Sequence, residues 1–288
     1  MNANSLPQTP VIKDWLINAI HQLSSASIAS ARLDAEIILA QALGKNRTYL
    51  HAHNDEKLDT QSTQNANTML SKRLGRTPIA YIVGFKEFFG RKFNVNHSTL
   101  IPRPESEDII IALNEILISQ SPFAVQRTNP QLIDVGTGNG CLGITAKLEH
   151  PELEITLLDI STDALKVAKQ NAINLLAEVN IIQSDLLQNI KDRPNIIIAN
   201  LPYIDKNWDL SPEIFYEPNL ALFAENHGME IIKNLIVQAS NSLVPDGCLI
   251  IEADPAQHNT LIGFANKHNL IYTNKFNYIV TFEKKAAH

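Results

Sequence analysis

The sequence predicts an α/β protein: a Rossmann-like, doubly wound sheet closed by an antiparallel hairpin, preceded by a small helical bundle and a linking β-hairpin. Three observations carry this expectation. Through the second half of the chain, short apolar runs rich in Ile, Leu and Val alternate with helical stretches, the pattern of buried parallel strands joined by crossover helices. The last two such runs lie only four residues apart, which suits a hairpin and not a crossover. The first part instead repeats apolar residues at helical spacing.

The helical part comes first. Over residues 11–23, Val11, Ile12, Trp15, Leu16, Ala19, Ile20 and Leu23 share one helix face. A second helix is expected from Ser30 as N-cap through Leu33, Ile37, Ile38 and Leu39, stopped by Gly44. A third is expected over residues 60–74, with Leu70 and Leu74 on one face. Residues 1–77 thus read as a bundle with no residue of catalytic appearance, suited to docking a substrate or acting as a lid. Residues 78–103 read as a β-hairpin linker, in which Tyr81, Val83 and Phe85, then Phe88, Phe89 and Gly90, then Phe93 and Val95, give the strand pattern. From Pro104 a helix follows, with Ile109, Ile110, Leu113 and Leu117 on a face.

The remaining elements alternate. Strands are expected over 132–135, 155–158, 180–182, 196–199 and 248–252, and helices over 142–150, 162–176 and 229–243. Residues 270–273 and 278–282 form the terminal antiparallel pair. Residues 104–288 make up this second domain. No internal repeat or low-complexity segment interrupts it.

Composition limits the function. The chain has 288 residues, 44% hydrophobic and 19% charged, as in ordinary globular proteins with a substantial core. Its formal charge is −6 and its sequence pI about 5.8, which argues against gripping a phosphate backbone, where a basic surplus supplies the affinity. Residues 1–10 lack the basic start and apolar run of a secretory signal. No stretch approaches the roughly 20 apolar residues of a membrane span, so a cytoplasmic location is expected. Cys141 and Cys248 cannot form a disulfide framework and, like the close pair His51 and His53, show no metal-ligand set; no metal is expected.

Chemistry enters at the end of the first strand, where Leu132-Ile133-Asp134-Val135 runs into Gly136-Thr137-Gly138-Asn139-Gly140. Glycines at alternate positions let the main chain turn tightly where a ligand must approach it. The helix beginning near Cys141 points its N-terminal N–H groups at that place. Gly138, Gly140 and Gly143 match G-x-G-x-x-G, so a dinucleotide stays possible on this loop alone. Asp134 favours another ligand. A carboxylate there repels a pyrophosphate, but it can accept hydrogen bonds from the cationic end of S-adenosylmethionine, directly or through water. Asp159 ends the second strand, where a carboxylate can hold both ribose hydroxyls. Asp185, in Gln183-Ser184-Asp185, follows the third strand and is placed to meet an adenine amino group.

The fourth strand ends in Asn200-Leu201-Pro202-Tyr203. Here the chain resembles the amino-methyltransferases, which carry Asn-Pro-Pro-Tyr or a close variant. An amide or ring amino nitrogen is a poor nucleophile because its lone pair is delocalised. The Asn200 side-chain oxygen and the Leu201 carbonyl can accept its two N–H bonds and aim the lone pair at a sulfonium methyl group. Pro202 stiffens the turn, and Tyr203 offers a flat face to a planar target.

Further segments narrow the resemblance. Pro78-Ile79-Ala80-Tyr81-Ile82-Val83-Gly84, Glu87-Phe88-Phe89-Gly90 and Leu100-Ile101-Pro102-Arg103-Pro104-Glu105-Ser106-Glu107 look like the linker of the bacterial release-factor glutamine methyltransferases. So do Ala31-Arg32-Leu33-Asp34-Ala35-Glu36 and Tyr216-Glu217-Pro218 with Ala221-Leu222. The resemblance implies a class I methyltransferase fold and S-adenosyl-L-methionine as cofactor, left as S-adenosyl-L-homocysteine. It also implies that the helical domain helps recognise a peptide chain release factor; a monomer is expected. The target would be the glutamine of that factor's Gly-Gly-Gln loop. Cofactor contacts are expected from Asp134, Gly136, Thr137, Gly138, Asn139, Gly140, Asp159, Asp185, Leu186 and Asn200, and the catalytic, substrate-holding set is Asn200, Leu201, Pro202 and Tyr203. Two positions depart from the family: Leu201 replaces the first proline, and Leu186 stands where a large aromatic residue is common. Arg103 and Glu105, where the linker meets the second domain, read equally as shapers of the cleft or contacts to the substrate backbone, or as members of an interdomain salt bridge. Alternatives are an adenine-N6 methyltransferase of rRNA or DNA, a glutamine methyltransferase acting on a ribosomal protein, a non-catalytic binding module and a nicotinamide-dependent dehydrogenase. The last leaves Asn200, Pro202 and Tyr203 unexplained.

Overall fold

The computed structural model describes residues 10–118, 129–205, 208 and 210–285; the expectation about a secretory signal rests on the first residues, of which the first nine lie outside it. The chain divides into two compact units, one of residues 1–84 with Pro212–Tyr216, the other of Phe85–Ser211 with residues 217–288.

The helical unit holds α1 (Ile12–Ser25), α2 (Ala31–Leu43), α3 (Arg47–Ala52), α4 (Thr60–Leu74) and α5 (Ile79–Val83). The face expected for α1 is the buried one, with Ile12, Trp15, Ala19 and Leu23 inside. Trp15 Nε1 reaches across to Asn67 Oδ1 of α4 at 2.8 Å. Gly44 ends α2 at φ 62°, in the left-handed region that glycine enters at least cost. Ser30 departs from its expected role: its hydroxyl caps no backbone N–H and donates to Asp34 Oδ2 at 2.8 Å instead. α2 packs against α1, α3, α4 and α5, which explains why two carboxylates on it are buried. Asp34 meets Arg73 of α4 at 2.6 Å, and Glu36 meets Arg47 of α3 at 2.5 Å. The segment around residues 31–36 therefore carries structural ion pairs. Arg73 and Arg76 also grip Glu213, at 3.2 and 3.1 Å, which is why Pro212–Tyr216 belongs to this unit.

The linker differs from expectation. Tyr81 and Val83 lie on the short helix α5, between Pro78 and Gly84, whose φ of 84° stops the turn. The hairpin is shorter, β1 (Phe85–Phe88) against β2 (Arg91–Asn94). Alternating apolar residues share one face of a strand, but a helix of only five residues, apolar all round, carries the same alternation, so spacing alone does not separate the two here.

The second unit continues with a 3₁₀ turn (Pro104–Ser106), α6 (Glu107–Ile118), β3 (Gln131–Val135), α7 (Cys141–Glu149), β4 (Glu154–Asp159), α8 (Thr162–Asn174), β5 (Asn180–Gln183), β6 (Ile196–Ala199), α9 (Glu230–Ser242), β7 (Cys248–Glu252), α10 (His258–Asn266), β8 (Leu270–Phe276) and β9 (Ile279–Lys284). Sheet order is β5-β4-β3-β6-β7-β9-β8. β3 through β7 run parallel, and β9 joins β7 and β8 antiparallel. The doubly wound sheet with its terminal hairpin is as expected. The helix α10 was not foreseen, and β5 is a largely exposed edge strand, not a buried one.

Period-two alternation divides the core. Ile196 and Ile198 enter one cluster with Leu132, Ile155 and Ile250, while Ile197 and Ala199 enter the opposite one with Ile133, Leu158 and Ile251. Both faces of β6 are thus apolar, each fully buried Ile contributing about 1.5–3 kcal/mol. Chain order reverses on the two sides of β3, so the strand ends of β3 and β6 open the crevice where such sheets take ligands.

Asp34 and Arg73 are both nearly sealed from solvent, with side chains 2% and 7% exposed. Arg73→Met should therefore destabilise the helical unit by about 3 kcal/mol, the cost of an uncompensated buried carboxylate. Chemical denaturation followed by circular dichroism would measure it.

Candidate active site

The glycine loop after β3 is a chain of enforced turns. Gly136, Gly138 and Gly140 have φ of 70°, 57° and 85°, values that side chains with a Cβ rarely adopt. Thr137 N donates to the Leu158 carbonyl at 2.8 Å, and Gly140 N to the Thr137 carbonyl at 2.8 Å. Asp134 ties the loop from beneath: its Oδ2 accepts from Thr137 Oγ1 at 2.5 Å and from Gly143 N at 2.9 Å. Asp134 is fully buried and its Oδ1 has no partner. Burial pushes its carboxyl up to about 6, against the two hydrogen bonds, with the nearby Asp159 charge adding to the rise. The carboxylate read as a cofactor acceptor is thus committed to the loop itself, which leaves Oδ1 as its one spare oxygen.

Gly143, the last glycine of the pattern, serves packing. A Cβ there would lie 2.3 Å from Leu157 Cδ2 and 3.0 Å from Asp134 Cβ. Asn171 of α8 secures the loop's flank. Its Nδ2 donates to the Asn139 carbonyl at 2.8 Å and to the Asn94 carbonyl at 3.0 Å, and its Oδ1 accepts from Asn94 N.

Above the strand ends lies a cavity of about 230 Å³. Gly136, Thr137, Gly138, Asn139, Asp159, Asp185, Leu186, Asn200, Leu201 and Pro202 line it. Asp134, Gly140 and Tyr203 are outside that lining. Asp159 accepts from Gly138 N and Ser161 N, both at 2.9 Å, and burial raises its pKa despite them. Its oxygens keep further lone pairs for hydroxyl donors. Asp185 is exposed and accepts from Gln188 Nε2 at 3.0 Å. Leu186 sits at φ 51°, an aliphatic wall beside it. A Cβ on Gly138 would meet nothing within 4 Å, so the main chain there borders open space. Those features fit a nucleoside-bearing ligand laid against bare backbone, with carboxylates at successive strand ends. Among the described residues no cluster of His, Cys, Asp or Glu suits a metal, and no helix is long and apolar enough to cross a membrane.

The second loop stands on the neighbouring strand. Asn200 Nδ2 donates to Ser106 Oγ at 2.8 Å. Leu201 is buried, and its Cδ2 would lie 2.6 Å from any Cβ on Gly136. The two loops therefore pack directly on each other through the Leu201 side chain. Tyr203 is turned inward: its hydroxyl donates to Glu252 Oε1 at 3.0 Å, and burial raises its pKa. Its carbonyl accepts from Gln257 Nε2 at 3.0 Å, and a Cβ on Gly228 would strike that carbonyl at 1.9 Å. The wall is completed by residues the sequence left without a site role, among them Thr99, Leu220, Ile231 and Asn234. Ile231 and Asn234 gave no signal because they sit in an ordinary amphipathic helix. Arg103 pairs with Glu217 at 2.5 Å, and Glu217 also accepts from Ile101 N at 2.9 Å, so this arginine braces the linker within its own unit.

Comparison with known proteins agrees with this geometry. Residues 14–84 match the family described as the PrmC N-terminal domain, and residues 114–217 the methyltransferase small domain. A release factor glutamine methyltransferase of Leptospira interrogans is 39% identical, over 83% of this chain and 84% of that one. Another from Deinococcus radiodurans is 31% identical over 87% and 88%, and one from Escherichia coli 33% over 83% and 84%. Among solved structures, a methyltransferase of Pyrococcus furiosus superposes with a TM-score of 0.53 at 16% identity, covering 75% of this chain and all of that one. A 16S rRNA methyltransferase of T. thermophilus, solved with AdoMet and guanosine, gives 0.50 at 17% identity over 70% of this chain and 50% of that chain. These two show the fold alone. The glycine loop, the polar tetrapeptide one strand away and the relatives matched over most of their length lead to one conclusion: this chain belongs to the release factor glutamine methyltransferase family and is an S-adenosylmethionine-dependent methyltransferase.

Proposed function

We propose that the enzyme methylates the side-chain amide nitrogen (N5) of a glutamine, the one in the Gly-Gly-Gln loop of a peptide chain release factor. The observation that carries this reading is that Asn200, Leu201 and Pro202 line the same cavity as Gly138 and Asp159. A cofactor cradle and a site for two N–H donors thus face one space. The net charge of −6 favours a protein substrate over a nucleic acid.

S-adenosyl-L-methionine, when bound, supplies the electrophilic methyl group and leaves as S-adenosyl-L-homocysteine. The cofactor set is Gly136, Thr137, Gly138 and Asn139 as backbone cradle, Asp159 at the ribose, and Asp185 with Leu186 at the base. Asp134 and Gly140 shape the cradle from below. Asn200 and the Leu201 carbonyl do the chain's share of the chemistry. With its Nδ2 bound to Ser106, Asn200 keeps Oδ1 for one N–H of the substrate amide, and Leu201 O takes the other. Two acceptors held at one nitrogen favour its pyramidal form and fix its lone pair in direction. The nitrogen can lose its proton after transfer, so no base is needed to begin. Pro202 holds the turn, and Tyr203 acts from behind it, through Glu252. The helical unit is proposed to dock the release factor.

Asn200→Ala should lower turnover by on the order of 100-fold, as loss of one positioned polar group at a reacting centre does, with cofactor affinity nearly unchanged; single-turnover kinetics beside calorimetry would check both. Gly138→Val should abolish cofactor binding, since φ 57° and the open space before it leave a branched side chain both strained and in the ligand's place. Normal calorimetric affinity in that variant would move the cofactor elsewhere. Radiolabelled methyl transfer should appear on purified release factor and vanish on its Gln-to-Ala loop variant and on bare rRNA. Label on the rRNA alone would overturn the substrate assignment.

A further inference from the structure

At the cavity wall, two buried side chains, Ser106 and Glu252, meet two half-buried ones, Asn200 and Tyr203. Ser106, in the 3₁₀ turn ahead of α6, is 2% exposed, and Glu252, the last residue of β7, is 1% exposed. Asn200 gives its Nδ2–H to Ser106 Oγ at 2.8 Å, and Tyr203 gives its hydroxyl proton to Glu252 Oε1 at 3.0 Å. Glu252 Oε2 is buried with no donor at hydrogen-bond geometry. Burial raises the Glu252 pKa, while Ser106, Tyr203 and Asn200, which face its carboxyl, oppose that rise.

With Glu252 ionised, the protons in this cluster have one direction. An ionised carboxylate only accepts. Ser106 has a single hydroxyl proton, and its oxygen is already an acceptor for Asn200. The Glu252 carboxyl faces it and keeps a buried oxygen, Oε2, with no donor at hydrogen-bond geometry, so it is the group assigned to take that proton. The direction then propagates outward: Glu252 receives from Ser106, Ser106 receives from Asn200, and Asn200 presents its oxygen to the cavity. A carboxamide is nearly symmetric in shape, so packing alone cannot choose between its oxygen and its NH₂. Hydrogen-bond polarity must choose.

We propose that Glu252 and Ser106 are positioning residues that fix which end of the Asn200 carboxamide faces the substrate, and so make the site selective for an N–H₂ group. This inference rests on the function proposed above. With the carboxamide reversed, NH₂ would meet NH₂, and the substrate nitrogen would lose an acceptor.

The test uses the full chain with purified release factor and S-adenosylmethionine. Glu252→Gln keeps the shape but can donate as well as accept. Its kcat should fall about 10-fold to 100-fold, the usual reach of a residue that orients a reacting group, while KM for the release factor and cofactor affinity stay within about twofold. Ser106→Ala should behave alike, and Ser106→Thr should recover most of the activity by restoring the hydroxyl. Wild-type kcat should also fall on the acid side, as Glu252 takes up a proton and becomes a donor, and Glu252→Gln should lose that contribution and keep only the limb of Asp134, whose carboxyl sits at about 6. The other titratable groups near this carboxyl are Tyr203, Glu105 and Cys141, with Asp254 and Tyr278 beyond Tyr203.

Wild-type kcat in either Glu252→Gln or Ser106→Ala would overturn the inference. So would losses that track lowered melting temperature and cofactor affinity without rescue by threonine, the mark of mere support. Should Glu252→Gln fail to fold, the Ser106 pair decides. An active wild type, an inactive Asn200→Ala and an unimpaired Glu252→Gln would sink this inference alone. A wild type that labels no release factor sinks the proposed function, and this inference with it.

Discussion

A fully buried carboxylate organises the methyltransferase unit. Asp134 spends one oxygen on the Thr137 hydroxyl and the Gly143 amide, and in doing so joins the end of β3, the glycine turn and the first turn of α7. Such an anion is costly to bury, and its pKa near 6 records that cost. The turn it stabilises leaves the backbone bare at Gly138, where a Cβ would meet nothing within 4 Å. Asp159 extends the same logic to the next strand, binding Gly138 N from above.

The tetrapeptide on β6 depends on this turn through contact. Leu201, standing where the Asn-Pro-Pro-Tyr pattern has its first proline, lacks the locked φ of that ring. Its side chain lies where any Cβ on Gly136 would have to be. The substitution trades stiffness along the backbone for packing between two loops. Gly136 is thereby constrained twice, by φ and by its neighbour. The polar end of the motif is held separately, by Ser106 and Glu252, so the apolar and polar halves of this short segment have different supports.

Much of the fold was legible in the sequence because buried parallel strands must be nearly continuous apolar runs. Residues 196–199 and 248–252 could hardly be anything else. The edge strand β5 was found through its isoleucines, though its exposure was not, since position in a sheet is a tertiary fact. The helix α3 carried no signal long enough to read, and α5 was mistaken for a strand because five residues cannot separate the two periods. In the site, glycines and carboxylates at strand ends were visible as types at a spacing. Their division of labour was not: whether Asp134 faces a ligand or its own loop depends on three-dimensional closure. Ser106 and Glu252 escaped notice for a similar reason. Glu252 looks like the polar stop of an apolar strand, and nothing local tells it from any other.

The chain passes between its two units three times, at 84/85, 211/212 and 216/217. Five residues just downstream of the tetrapeptide are counted with the helical bundle and held there by Arg73 and Arg76 through Glu213. The bundle is therefore no detachable module. Exchanging it for another bundle, in evolution or by splicing, would demand a matched change in a loop more than a hundred residues away. An architecture of this kind resists domain shuffling and ties the history of the two units together.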